Sequence, residues 1–360
     1  MSSPGFVHLH VHTEYSMVDS TIRIPTLMKA CAENGMPAVA MTDQNNLFGL
    51  VKFYRKALAA GLKPVIGLDL RILNEDEPDR PFTMLLLVQD NDGYRNLSEL
   101  VTRSYIEGQV RGEPMARREW LTAEGCEGLI ALSGGLHGDI GHALHANHGQ
   151  QARELLDGWR AVFPDRFYLE LIRTGRSGEE DCVRASLELA SATGTPVVAT
   201  NDVRFLSAGD FDAHEARVCI HDSRVLADSE RPKLYSAQQY LRTPDEMAEL
   251  FADTPEALAN TVEIARRCNL NLQLGKSVLP EFPVPAGQTE AEFLEAEAKQ
   301  GLERALGRIF EARKIPENER AAFSAPYFER LDIELGVIQS MGFPGYFLIV
   351  ADFIRWAREN

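Results

Sequence analysis

The sequence predicts an α/β fold: a somewhat irregular (β/α)7, TIM-like barrel, followed by a mainly helical segment. Three observations carry that expectation. Strands alternate with helices along roughly the first two hundred residues, the order that builds parallel sheets through right-handed crossovers. The strands are short and almost continuously apolar, as in a sheet covered on both faces. Polar residues recur at the C-terminal ends of those strands, namely His10, His12, Asp43, Asp69, Ser133, Glu170 and Asp202, which is where barrel enzymes place their sites. An open doubly wound sheet is the alternative. It loses ground because no G-x-G-x-x-G follows the first strand and no Walker-type loop occurs.

Taken in order, Val7 to Thr13 is the first strand, and a helix over Ile24 to Asn34 closes at Gly35. Ala38 to Asp43 is a strand ending in an acid, and Leu47 to Ala60 is a helix closed by Gly61. Pro64 to Asp69 and Thr83 to Val88 are the next two strands, followed by a helix around Asn96 to Ile106. Gly128 to Gly135 is a strand with a glycine-rich end. Helix 152–163, strand 167–172, helix 179–192 and strand 196–202 complete the alternation. Beyond Asp210 the pattern turns helical, over 211–220, 244–251 and 255–268. The proline-rich Leu279-Pro280-Glu281-Phe282-Pro283-Val284-Pro285 marks the expected domain boundary, with a barrel domain over 1–278 and a second segment over 279–360. Helical patterns over 289–313, 327–341 and 346–358 follow. The last of these is so apolar that it calls for further partners, so the chain is expected to end inside a larger protein.

The opening strand holds the densest chemistry. In Val7-His8-Leu9-His10-Val11-His12-Thr13 the period of two places His8, His10 and His12 on one face. Imidazoles on a strand this apolar need partners. A metal centre completed by Asp19 on the following loop is one reading, and a hydrogen-bonded polar face is the other.

Bulk composition narrows the partners. With 37 basic and 53 acidic residues the chain carries a net charge of −16, which disfavours extensive contact with a phosphate backbone. Five scattered cysteines without a CxxC pair suggest neither a disulfide framework nor a zinc ribbon. With no signal peptide and no apolar run of membrane-spanning length, a reducing cytoplasm is the expected setting and no membrane partner is expected.

HLHVHTEYSMVDS resembles the first motif of the PHP (polymerase and histidinol phosphatase) superfamily. MTDQNNLFG, VIGLD, LSGGLHGDIG, FYLELIRTGR and VVATNDVRF follow in the order found in the PHP domain of bacterial replicative, C-family DNA polymerases. SMGFPGYFLIVADFIRWAREN is similar to the entry into the palm of those enzymes. The resemblance implies a distorted (β/α)7 barrel, a site able to hold two or three metal ions in better-preserved members, and a proofreading exonuclease (epsilon) subunit as partner. It also implies the remaining holoenzyme with its sliding clamp, and DNA reached through other parts of the parent chain.

Carried over position by position, His10 and His12 match the HxH pair, Asp19 the first-loop aspartate and Asp202 the aspartate of the last motif. Other positions depart from the pattern. Gln44 stands for a histidine, Asp69 for a glutamate, Thr83 for a histidine, Gly135 for a cysteine or histidine and Arg204 for the final histidine. Glutamine and threonine are weak ligands, glycine offers none, and arginine stays protonated. The expectation is therefore a vestigial site in which Arg204 pairs with Asp19, Asp69 and Asp202 and no functional metal cluster is held. Any residual ion would fall to His10, His12, Asp19 and Asp202. Zinc or manganese is implied only for an active PHP site, and magnesium only for the parent polymerase.

Remaining candidates read as structural. Asp43 suits a supporting carboxylate. His137, His142, His145 and His148, and Arg103, Arg111, Arg117 and Arg118, read as solvated surface; Glu170 and Arg173 read as an internal pair; and His214 sits at a helix start with polar exposure. Three function classes stand: a scaffolding domain of a replicative polymerase, an active metal-dependent phosphoesterase or 3′–5′ exonuclease, and a free-standing phosphatase. The palm-like tail argues against the last and the missing ligands against the second. The resemblance implies that the polymerase aspartates belong to sequence beyond Asn360, so this chain alone is expected not to polymerise DNA.

Overall fold

The computed structural model describes residues 5–228, 230–276 and 278–360. It divides into two compact units, Met1–Leu272 and Gln273–Asn360.

The first unit is built on a six-stranded sheet. Its strands are β1 (Ala38–Gln44), β2 (Lys63–Ile72), β3 (Phe82–Val88), β6 (Leu129–Leu132), β7 (Phe167–Ile172) and β8 (Val197–Thr200), in that spatial order. The short β4 (Gln109–Val110) and β5 (Glu113–Pro114) form a separate hairpin. The helices are α1 (Ile24–Glu33), α2 (Leu50–Ala59), α3 (Asn91–Glu107), α4 (Asp139–His145), α5 (Gly149–Val162), α6 (Glu179–Thr193), α7 (Phe211–His221), α8 (Pro244–Leu250) and α9 (Pro255–Arg267).

Two features depart from the expected parallel barrel. First, β3 runs antiparallel to both β2 and β6, while β1–β2, β6–β7 and β7–β8 are parallel. The nine residues between β2 and β3 are too few for a helical crossover, so the chain can only turn back. Second, Val7 to Thr13 is not a regular strand. It touches the sheet at single positions, His8 beside Val39 and Val11 beside Val203. Those two bridges join opposite edges of the curled sheet and supply the seventh side of the distorted barrel.

Leu9, Ala40, Val65, Leu87, Ile130, Leu132 and Val198 fill the barrel, with Val262 and Ile264 of α9 and Cys268 just after it in the same cluster. A larger apolar shell, including Leu27, Phe53, Leu97, Leu156, Trp159 and Val183, packs the helices around it. Gly67 marks one tight crossing, because a Cβ there would run into the main chain at Leu86.

The second unit holds α10 (Glu290–Arg313), α11 (Glu317–Ser340) and α12 (Pro344–Glu359) around a small core of Leu294, Leu335 and Leu348. Thr289 and Glu292 form a capping box at the start of α10. Helix α11 starts ten residues earlier than the sequence pattern suggested and carries Pro326 inside it. Among the described residues no single helix is long and apolar enough to cross a membrane.

Candidate functional site

Because the Val7–Thr13 segment makes only isolated bridges, strict alternation breaks within it. Val7 and Leu9 enter the barrel core, whereas Val11 joins the outer shell. His8 is consequently parted from the other two histidines, a correction to the single histidine face. Its Nε2 lies 2.8 Å from the Arg242 carbonyl and its ring meets Phe6 edge-on. His10 and His12 converge instead, Nε2 to Nε2 at 3.2 Å.

A polar chain runs through that pair. Thr200 donates to Glu170 at 2.6 Å, and Glu170 also accepts from Nδ1 of His10 at 2.8 Å. On the far side, Nδ1 of His12 is 2.9 Å from the Ser16 hydroxyl, which donates to Asp43 at 2.7 Å. Asp43 also accepts from the Thr13 main-chain N–H and hydroxyl, so it orders the loop and does not face the cavity. Burial alone would strip charge from His10, yet Glu170, Asp202 and Asp69 raise its pKa to about 9. Burial, then Arg204 and His10, push His12 well down. Nδ1 of His12 also lies 3.1 Å from a terminal nitrogen of Arg204, which can only donate. The Nε2 atoms that would face a metal share a proton instead.

Arg204 stands beside this chain, buried between two carboxylates. It bonds to Asp19 through one terminal nitrogen, and its Nε and other terminal nitrogen lie 2.7 Å from Asp202. The second Asp202 oxygen takes Gln239 at 2.8 Å and Arg176 at 3.1 Å. Asp19 also accepts from the Tyr235 hydroxyl at 3.1 Å, and its carbonyl is 3.0 Å from Nε2 of His214. Burial opposes charge on Asp202, but Arg204, His10 and Arg176 hold it well below the usual carboxylate range. Burial likewise opposes the Arg204 cation, and Asp19 and Asp202 more than reverse that. Asp69 is not hydrogen-bonded to the guanidinium. Burial pushes its pKa up to about 6, with His10 and Arg204 offsetting only part.

Gln44, Asp69, Thr83, Arg204 and Asp202 line one cavity of about 470 Å³, with Arg71, Arg176, His137, His142 and Tyr235 among its other walls. Gly135 sits behind it at φ +54°, next to Ile172.

Residues 8–174 match the PHP domain family, and residues 292–360 match the family described as the bacterial DNA polymerase III alpha NTPase domain. The chain is 50% identical over 360 residues to the DNA polymerase III subunit alpha of Pseudomonas fluorescens, covering 99% of this chain and 30% of that protein. It is 49% identical to the same subunit of Escherichia coli K12, covering 100% of this chain and 30% of that one. The chain belongs to the bacterial DNA polymerase III alpha-subunit family. It spans about 30% of the length of these family members. Among solved structures, an amidohydrolase from Chromobacterium violaceum with bound sulfate and no metal aligns with a TM-score of 0.41 at 12% identity, over 59% of this chain and 96% of that one.

The PHP part of the family implies metal ions, and the donor set tests that implication. Ligand atoms of His10, His12 and Asp202 lie within 4.8 Å of one another, a group that could hold one ion. A cluster of two or three ions does not fit. Both oxygens of Asp202 are already bonded to cations, Arg204 bridges from it to Asp19, and positions 44, 83 and 135 supply no strong ligand.

Sequence reasoning missed four residues of this arrangement. Ser16 stood in the first motif, and Arg176 in FYLELIRTGR. Tyr235 and Gln239 come from an irregular segment with no local signal. Glu170 and Arg173 do not pair with each other: Arg173 turns to Asp253 at 2.6 Å and to Glu180. His214 is buried among Phe205, Phe211 and Tyr235, not exposed. Of the other clusters, His142 and His145 share α4 while His137 and His148 lie outside it, and Arg103, Arg111 and Arg118 pair with Glu107, Asp79 and Asp139.

His8 gives a pH signature separate from the cavity. Burial lowers its pKa from 6.5 to about 4. The unfolded chain therefore takes up a proton near pH 6.5 that the folded chain refuses, so this contribution to stability is present above 6.5 and lost as pH falls towards 4. Between pH 7 and pH 5 it amounts to about 2 kcal/mol. Urea unfolding at both pH values should show that loss in the wild type relative to His8→Gln. Equal slopes for the two proteins would contradict it.

Proposed function

We propose that this chain is the PHP-containing part of the catalytic alpha subunit of a bacterial replicative DNA polymerase, working in the cytoplasm as a non-catalytic scaffold. The parent enzyme carries out template-directed DNA synthesis with magnesium held by palm aspartates outside this sequence, and reaches DNA and the sliding clamp through those other parts. The barrel, on this reading, docks the proofreading exonuclease subunit. The carrying observation is Arg204, buried and bonded to Asp19 and Asp202 where a metal-holding relative would place a ligand. A guanidinium between two carboxylates supplies the positive charge of an ion while holding no water for attack. His10 and His12, spending their facing nitrogens on each other, support the same reading.

One observation favours a second reading, a residual metal-dependent phosphoesterase or 3′–5′ exonuclease. It is the proximity of His10, His12 and Asp202, which together could hold one zinc or manganese ion. A bound ion would supply an activated water and a Lewis acid. Two assays separate the readings. On the scaffold reading, the chain co-elutes with the exonuclease subunit in gel filtration and releases no phosphate or nucleotide with added manganese. Failure to co-elute, or a manganese-dependent activity abolished by His12→Ala, would overturn it.

A further inference from the structure

We infer that the outer face of α2 is a docking strip for an amphipathic, acidic helix of another protein. The apolar surface of helix α2 extends beyond its buried face. Leu50, Phe53, Tyr54 and Ala57 face the barrel and are buried. Flanking that buried face, Val51 and Leu58 of α2 are exposed by 47% and 53%, and Phe48 in the turn before the helix by 64%. Val51 and Leu58 are seven residues apart, the spacing of a helix–helix seam, about 10 Å or two turns along the helix. The end of α3 adds a second wall. Tyr105 lies with its ring 6.3 Å from that of Phe48, and the adjoining Ile106 is 74% exposed.

The charges around this strip choose the occupant. Lys52, Arg55 and Lys56 project from the exposed part of α2, and the helix itself has no acid. Lys52 is paired with Glu14 at 2.8 Å, whereas Arg55 and Lys56 have no ion-pair partner among the described residues. In a chain of net charge −16 this is a local inversion of sign. A helix with apolar residues at i, i+3 or i+4 and i+7, flanked by aspartate or glutamate, satisfies both the apolar seam and the cations. Single-stranded DNA would use the two rings and the cations but would leave Val51 and Leu58 without stacking partners.

This surface deepens the scaffold reading and rests on it. The test places photoreactive p-benzoylphenylalanine at Val51 of the full chain in bacterial cells, with Glu188 on α6 as the control position. The segment crosslinked at Val51 is then sequenced, synthesised and titrated against the wild type and Arg55→Glu by fluorescence anisotropy. The expected result is an acidic amphipathic segment whose affinity drops roughly tenfold with Arg55→Glu and recovers when its facing carboxylate is changed to lysine. Crosslinking no stronger than at Glu188, crosslinking to DNA or to a second copy of this chain, or a segment indifferent to Arg55→Glu would overturn the inference. If the exonuclease subunit co-elutes with the chain without crosslinking at Val51, the scaffold reading stands and this surface falls.

Discussion

Arg204→Met should destabilise the barrel by about 3–5 kcal/mol, the cost of breaking a buried ion pair by removing one partner. The side chain is buried; it is the one arginine paired with Asp19 among the described residues, and it shares Asp202 with Arg176. Asp19 would keep only the Tyr235 hydroxyl, and Asp202 would keep Gln239, Arg176 and the more distant His10. One Asp19 oxygen already lacks a hydrogen-bond partner, so there is little reserve at that carboxylate. Methionine fills a similar volume, which separates lost charge from lost packing. Replacing Asp19 and Asp202 by asparagine in the same protein should return much of the loss, since the uncompensated charges leave with them. Urea unfolding followed by far-ultraviolet circular dichroism measures all three proteins. A loss below about 1 kcal/mol for Arg204→Met, the scale of an exposed pair, would contradict a buried keystone.

The second large effect comes from putting ligands back. Gln44, Thr83 and Arg204 occupy positions where metal-holding relatives are expected to carry histidine, and all three line the same cavity as His10, Asp69 and Asp202. The variant Gln44→His/Thr83→His/Arg204→His removes the competing guanidinium and adds three imidazoles. It should bind zinc or manganese stoichiometrically, and free metal at a thousand times Kd should stabilise it by about 4 kcal/mol. The wild type should show no comparable shift. Gly135 is left alone deliberately. It sits at φ +54°, and a Cβ there would come within 2.9 Å of the Ile172 side chain, so a side chain would add strain along with its ligand. Equal metal stabilisation of wild type and variant, by scanning calorimetry, would show that Arg204 does not exclude an ion.

These expectations rest on features of unequal visibility in the sequence. The strands β1, β2, β3, β6, β7 and β8 were legible because each is a short apolar run between breakers. The reversed direction of β3 was not, because hydrophobic periodicity carries no polarity; only the short β2–β3 connection bears on it. The opening motif showed the histidines but misplaced His8. Alternation presumes a strand paired along its length, and this segment makes only isolated bridges, to Val39 and to Val203. Arg204 was legible through its motif position. Its neighbours Arg176, Tyr235 and Gln239 were not, since they lie 28 to 35 residues away on segments whose path depends on the whole barrel. Glu170 was visible as an acid on a strand, but its partner His10 is 160 residues distant.

On the scaffold reading, an arginine has taken over the electrostatic work of a metal cluster in this barrel. Elemental analysis of the purified, unchelated chain by inductively coupled plasma mass spectrometry tests it most directly. The prediction is zinc, manganese and iron at background, far below one ion per chain. One or more ions per chain, retained through dialysis and lost in parallel when His12 or Asp202 is replaced, would contradict it.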